Sequence, residues 1–213
     1  MTDADLPHLN PVEARILGCL MEKKALTPDV YPLSLNALQM AANQKTSREP
    51  VMALDLADIN RTIRSLEEKD LLRRVSGSRV ERFAHAADRR FTLTVPQCAL
   101  LALLLLRGPQ TVNELLTRSE RMADFRNADH LREELDMMSG RGPPLVKEIG
   151  RAPGQREDRF AHLLSGDVDV SEIVATSAAR PAAPSQLAEL EERVRTLEEE
   201  VAALKARLDA VGA

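Results

Sequence analysis

The run DLADINRTIRSLEEKDLLRRVSGSRVERFAH, from Asp55 to His85, decides how the rest of this chain is read. Asp55 can cap a helix with Asp58 at its third position, and Ile59, Ile63 and Leu66 recur at spacings of four and three, the period of one buried helical face. The helix is expected to stop near Lys69-Asp70. Leu71 to Val75 and Arg79 to Ala84 then read as two short strands around the turn Ser76-Gly77-Ser78. A helix that runs straight into a hairpin raises the question of what precedes it.

Upstream, Asn10, Pro11 and Glu13 occupy the cap, first and third positions of a helix whose Val12, Ile16, Leu17 and Leu20 share a face. Lys23 and Lys24 suit its C-terminal end, and Pro28 and Pro32 break it. A second helix is expected over Ser34 to Asn43, with Leu35, Leu38 and Met40 or Ala41 inward, and Gln44 to Pro50 is turn-like. The order helix, helix, helix, hairpin is that of a winged helix-turn-helix, with the third helix as recognition helix and the hairpin as wing.

Downstream the order repeats. Thr94 and Gln97 stand at capping-box spacing before a helix reaching Arg107, which Gly108-Pro109 ends. Thr111 and Glu114 open a fifth helix. Asn127 can cap a sixth, in which Leu131, Leu135 and Met138 again fall at four and three. Leu145 to Ile149 and Arg159 to Leu164 make a second hairpin around Pro153-Gly154, and both hairpins end in Arg-Phe-Ala-His (residues 82–85 and 159–162). The matched order and this shared tetrad indicate one unit used twice.

After an Ala-, Ser- and Pro-rich stretch, Leu187, Leu190, Val194, Leu197, Val201, Leu204, Leu208 and Val211 follow spacings of three and four without error. Val at the central a positions and Leu at d favour a parallel two-stranded coil, and the pairs Arg193–Glu198 and Glu200–Lys205 have opposite sign across such a dimer. A single helix folded back on the domains, or pairing with another protein's coil, are the alternatives. The expected organisation is therefore mainly α with small β-hairpin wings. It comprises a first winged-helix domain over 8–93, a second over 94–166, a linker over 167–185 and a coiled coil over 186–212 that joins two copies.

Composition agrees. Aromatics are 2% of the chain, with no Trp, so the core falls to Leu, Val, Ile, Ala and Met, which favours packed helices over a large sheet. The longest apolar run, Cys98 to Leu106, is too short to span a membrane, and residues 1–8 are not a signal peptide. A cytoplasmic protein is expected, with Cys19 and Cys98 as reduced core thiols. His8, His85, His130 and His162 lack metal-ligand spacing, and there is no phosphate loop, nucleophile elbow or Cys-x-x-Cys, so neither an enzyme nor a cofactor is expected. His85 and His162 hold equivalent hairpin positions, which suits packing or hydrogen bonding.

The net charge of −4 comes from the tail: residues 1–166 are close to neutral, but 61–90 hold nine basic against five acidic residues. On the third helix Asn60, Arg61, Arg64 and Ser65 would face outward, with Arg73, Arg74, Arg79 and Arg82 on or near the hairpin and Lys45 and Arg48 ahead of it. Asn and Arg suit adenine and guanine edges, and the remaining cations suit phosphates. These ten residues are the candidate DNA-binding set; a solvated face whose arginines pair with Glu67, Glu68 and Asp70 is the alternative. The sixth helix would instead expose Arg132, Glu133, Glu134 and Asp136, a poor groove reader better suited to packing or to a protein partner. A dimeric transcriptional regulator is thus expected, with a non-catalytic scaffold as the competing reading.

The opening Leu9-Asn10-Pro11-Val12-Glu13-Ala14-Arg15-Ile16-Leu17-Gly18-Cys19-Leu20-Met21-Glu22-Lys23, the segment Tyr31 to Leu38 and the paired Arg-Phe-Ala-His ends resemble the YceH family of bacterial proteins over roughly residues 8–166. The resemblance implies tandem winged helices and adds no activity, substrate or site.

Overall fold

A computed structural model describes residues 6–75, 80–151 and 157–167. The described residues all fall in one compact unit, 1–170. The tip of the first hairpin with Arg79, the tip of the second with Pro153-Gly154, most of the linker and the whole heptad segment from Leu187 to Val211 lie outside the described residues.

The described part is mainly helical, with two small antiparallel sheets of three strands each. Its first half runs α1 (Pro11–Leu26), a 3-10 turn (Pro28–Val30), β1 (Leu33–Ser34), α2 (Leu35–Ala42), α3 (Leu56–Glu68), β2 (Leu72–Val75) and β3 (Arg82–His85). A one-turn helix, α4 (Ala87–Arg90), leads to the second half: α5 (Val95–Arg107), β4 (Gln110–Thr111), α6 (Val112–Ser119), α7 (Ala128–Ser139), β5 (Val146–Ile149) and β6 (Arg159–His162). The sheets have the same order, β1-β3-β2 and β4-β6-β5.

The helices begin where their caps dictate. Asn10 accepts from the amides of Val12 and Glu13 while Glu13 accepts from the Asn10 amide at 2.7 Å. Asp55–Asp58, Thr94–Gln97 and Thr111–Glu114 form the same reciprocal pair, which satisfies amides that the helix itself leaves without partners. The two-residue strands β1 and β4 and the single turn α4 are too short to carry a periodic signature, and only the structure shows them.

The Arg-Phe-Ala-His repeat has a mechanical explanation. Arg82 Nη1 donates to the Pro32 carbonyl at 2.8 Å and Arg159 Nη1 to the Pro109 carbonyl at 2.9 Å, so each arginine latches the third strand to the residue just before the first. Phe83 and Phe160 fill the space under each sheet. The Nδ1 atoms of His85 and His162 are sealed from solvent without a hydrogen-bond partner, and burial pushes both imidazoles down to about 4.

α1 and α5 pack directly on each other, so the two halves share one core. At their crossing, a side chain on Gly18 would come within 2.9 Å of Leu106 Cγ and 3.1 Å of Leu105 Cβ, which makes the missing Cβ a condition of the approach. Every residue of α1 from Glu13 to Glu22 is buried, because α2, α3, β3 and α5 all pack against it. Three of those residues, Glu13, Arg15 and Glu22, are charged.

Candidate nucleic-acid interface

α3 is positioned by buried charge as much as by its apolar stripe. Ile59, Ile63 and Leu66 face the core as their spacing requires. Beside them Glu13 of α1, 2% exposed, accepts from the Ser65 hydroxyl at 2.6 Å and from Lys69 Nζ at 2.5 Å, which pins the C-terminal half of α3 to α1. These hydrogen bonds outweigh desolvation and hold the Glu13 carboxyl below its ordinary range.

The connection between α2 and α3 is pinned by arginines. Arg15 donates to the carbonyls of Ala42 at 3.2 Å and Pro50 at 2.5 Å. Arg48 pairs with both oxygens of Glu22, at 3.0 and 2.5 Å, and also donates to Ala41 O and Gln44 Oε1. Arg48 meets an acceptor at every nitrogen, which offsets the cost of burying its charge, whereas Arg15 does so at Nη1 and Nη2 and leaves Nε buried without a partner.

Three expected contacts are corrected. Arg48 is 5% exposed and fully committed to Glu22 and backbone carbonyls, so it cannot reach a ligand. Ser65 is turned toward α1, its hydroxyl held by Glu13. Arg82 is drawn to Pro32 as a strand latch. Arg79 lies outside the described residues.

The others remain on the surface. Asn60 is exposed and donates to the Leu56 carbonyl at 2.9 Å. Arg61, with 77% of its side chain exposed, reaches back to Asp58 at 2.5 Å, and this contact draws the Asp58 carboxyl below its usual value. Arg74 bridges Glu67 at 2.8 Å and Glu81 at 2.6 Å, and these two carboxylates raise its already high pKa. Arg64, Arg73 and Lys45 are exposed with no ion-pair or hydrogen-bond partner among the described residues. Arg61 and Arg64 on α3, Arg73 and Arg74 on β2 and Lys45 in the α2–α3 connection are thus exposed cations, of which Arg64, Arg73 and Lys45 are uncommitted among the described residues.

The second half turns this pattern over. Leu131, Leu135 and Met138 of α7 take the buried places of Ile59, Ile63 and Leu66. In that register Glu133 stands where Arg61 stands, and Asp136 where Arg64 stands. Glu134 is not on the outer face as its sequence neighbours suggested: it is 8% exposed and accepts from Gln97 Nε2 at 2.9 Å. Asp129, Glu133, Asp136 and the 55%-exposed Met137 make up that face instead. On the strands, Arg74 of β2 corresponds to Glu148 of β5, and the cross-element ion pair is reversed as well. Arg74 reaches from strand to helix, whereas Arg132 reaches from helix to strand, contacting Glu148 at 2.7 Å. The two arginines stack over equivalent phenylalanines, Arg74 at 5.8 Å from the Phe83 ring centre and Arg132 at 4.8 Å from that of Phe160. Around α7, Arg118 is held by Gln110 and Glu114, and Arg151 by Asp158.

Among the described residues no group of three or more His, Cys, Asp or Glu could hold a metal ion, and no helix is long and apolar enough to cross a membrane.

The molecule is thus a mainly helical protein of two like halves joined through their first helices, with opposite charge on the matching faces. Residues 9–155 match the family described as "Protein of unknown function, DUF480". The chain is 61% identical over 208 residues to a UPF0502 protein of Mesorhizobium japonicum, covering 98% of each chain. It is 49% identical to a UPF0502 protein of Xanthomonas campestris, with 97% of each covered, and 48% identical to one of Pseudomonas savastanoi, with 95% of this chain and 94% of that one covered. The chain belongs to this DUF480/UPF0502 family, in keeping with the family resemblance read from its motifs.

Proposed function

We propose that each half is a winged helix-turn-helix and that the protein is a dimeric, non-catalytic, cytoplasmic DNA-binding regulator that reads DNA through its first half. The observation that carries this reading is the pair Arg61 and Arg64, exposed beside Asn60 on α3, with Arg73 and Lys45 uncommitted nearby. In a winged helix the third helix enters the major groove and the hairpin lies along the backbone. That role would set Asn60 and Arg61 or Arg64 toward base edges, with Arg73, Arg74 and Lys45 toward phosphates. The heptad segment over 186–212 would pair two copies in parallel and present two α3 helices to half-sites about 34 Å apart.

Binding to random-sequence duplex DNA, titrated from low to physiological salt, tests the reading. Affinity should fall steeply with salt as phosphates are neutralised, and the double change R61E/R64E should abolish it. Binding that is insensitive to that change would remove α3 from the interface.

A second reading has its own observation. The acidic face of α7, with Asp129, Glu133 and Asp136 around the exposed Met137, repels phosphate and suits a basic protein segment. In that case the protein is an interaction scaffold, and wild-type chain that fails to bind duplex DNA even at low salt would favour it.

A further inference from the structure

In the first half, residues 43–55 carry the chain from α2 to α3, and their conformation sets the direction in which α3 sets out. The segment is clipped at its ends. Leu54 N donates to Asn43 Oδ1 at 2.8 Å and Asn43 Nδ2 returns a bond to Leu54 O at 2.8 Å. At its middle, Ser47 has a φ of 61°, a left-handed backbone that a serine keeps only when its surroundings hold it there. Three bonds do so. Arg48 Nη1 donates to Ser47 O at 2.8 Å, Arg107 Nη2 donates to Ser47 Oγ at 2.6 Å, and the amide two residues on, Glu49 N, donates to Leu106 O at 2.8 Å.

Two of the three come from the last turn of α5, in the other half of the fold. The Leu106 carbonyl is one of those left without an intrahelical partner at a helix end, so the loop caps α5 as α5 seats the loop. The tie runs one way. Among the described residues no hydrogen bond joins the equivalent α6–α7 connection, 120–127, to the first half.

We infer that Arg107 is a positioning residue for α3: through Ser47 it fixes the path that delivers the α3 cap, Asp55, and hence the pose of Arg61 and Arg64. The second half then acts as a brace for the first, even though its own outer face is acidic. The inference rests on the reading that α3 contacts DNA, so its test must separate the two.

The full-length chain carrying Arg107→Ala is compared with wild type and with R61E/R64E, at a temperature where thermal unfolding shows each to be fully folded. The Glu49 amide and the first turn of α3 should exchange hydrogen faster in R107A, while amides in the middle of α5 keep their wild-type rates. Affinity for random-sequence duplex should fall about 2- to 30-fold. The salt slope should stay unchanged, because a positioning residue neutralises no phosphate. Ser47→Ala should reproduce the loss, and the double change R107A/S47A should be no worse than either single one.

Wild-type affinity in R107A alongside lost binding in R61E/R64E overturns the inference and leaves the DNA reading standing. A slope shallower by about one would make Arg107 a phosphate contact and overturn it too. Unchanged exchange at Glu49 removes the positioning role whatever the DNA result. Binding that ignores R61E/R64E sinks the DNA reading and this inference with it.

Discussion

α1 and α5 occupy matching places and pack on each other, yet they are built from different chemistry. α1 buries Glu13, Arg15 and Glu22 among its apolar residues, whereas α5 buries one polar but uncharged residue, Gln97, and otherwise only Ala and Leu. The difference follows what each helix has to hold. Apolar packing is tolerant of small shifts, but a buried carboxylate or guanidinium is stable only in the geometry that satisfies it. The first half uses three such groups to fix α3 and the chain leading to it, while α7 has one comparable tie, Gln97 to Glu134. The half with the cationic outer face is the half whose helix pose is specified by polar contacts.

Breaking that asymmetry at its strongest point should give the largest effect. Arg48→Ala leaves the Glu22 carboxylate buried without its partner, and should cost roughly 3–5 kcal/mol in denaturant unfolding. Gln97→Ala, the analogous cut in the second half, should cost only about 1–3 kcal/mol. Equal losses for the two would show that α1's charges hold α3 no more firmly than a single amide holds α7.

The histidines at the ends of β3 and β6 test a feature that the halves share. Both imidazoles are held near 4 by burial, against an ordinary value of 6.5. Because the folded value is depressed, the neutral side chain's full contribution is present above pH 6.5 and is lost as pH falls toward 4, where the unfolded chain takes up protons that the folded chain refuses. For His85, only 3% exposed, the loss amounts to about 3 kcal/mol across that window. His85→Gln should flatten the acid limb of a stability-versus-pH curve between 6.5 and 4, and His162→Gln should do the same if the halves are equivalent here. A limb unchanged in both variants would mean that neither histidine is neutral in the folded protein at mildly acid pH.

Gly18→Ala places a methyl group against Leu105 and Leu106, and overpacking of this kind costs about 1–3 kcal/mol. Since α1 and α5 share one core, unfolding should remain a single transition with a lowered midpoint. Two separated transitions would show that the halves unfold independently.

Much of this was legible in the sequence, for identifiable reasons. Caps and apolar spacing act within one turn of helix, so Asn10, Asp55, Thr94, Thr111 and Asn127 announce their helices, and Ile59, Ile63 and Leu66 announce the buried face of α3. The repeated Arg-Phe-Ala-His was visible as letters, but its role as a latch depends on Pro32 and Pro109, each fifty residues away. Arg48 and Ser65 were misplaced for the same reason: their partners, Glu22 and Glu13, lie on a helix that local periodicity shows as two-faced but that is enclosed on every side. Glu134 was misplaced because one residue along a helix turns a side chain by about 100°, and a stripe of three apolar residues does not fix where its edge falls.

The smallest expected effect on stability comes from rewriting the outer face of α7. Glu133→Arg with Asp136→Arg gives α7 the charges that α3 carries at the matching positions. Both residues are exposed, so folding stability should stay within about 0.5 kcal/mol of wild type. DNA binding should respond more clearly. If the halves are one groove-reading scaffold with opposite charges painted on, the variant should bind duplex more tightly at low salt, with a salt slope steeper by up to about 1.8 for two added phosphate contacts. If affinity and slope both stay at wild-type values, charge is not what separates the halves. The groove-facing competence of α3 would then reside in its pose, which in the first half is set by Glu13, Arg15 and Arg48, where α7 has the single Gln97–Glu134 tie among the described residues.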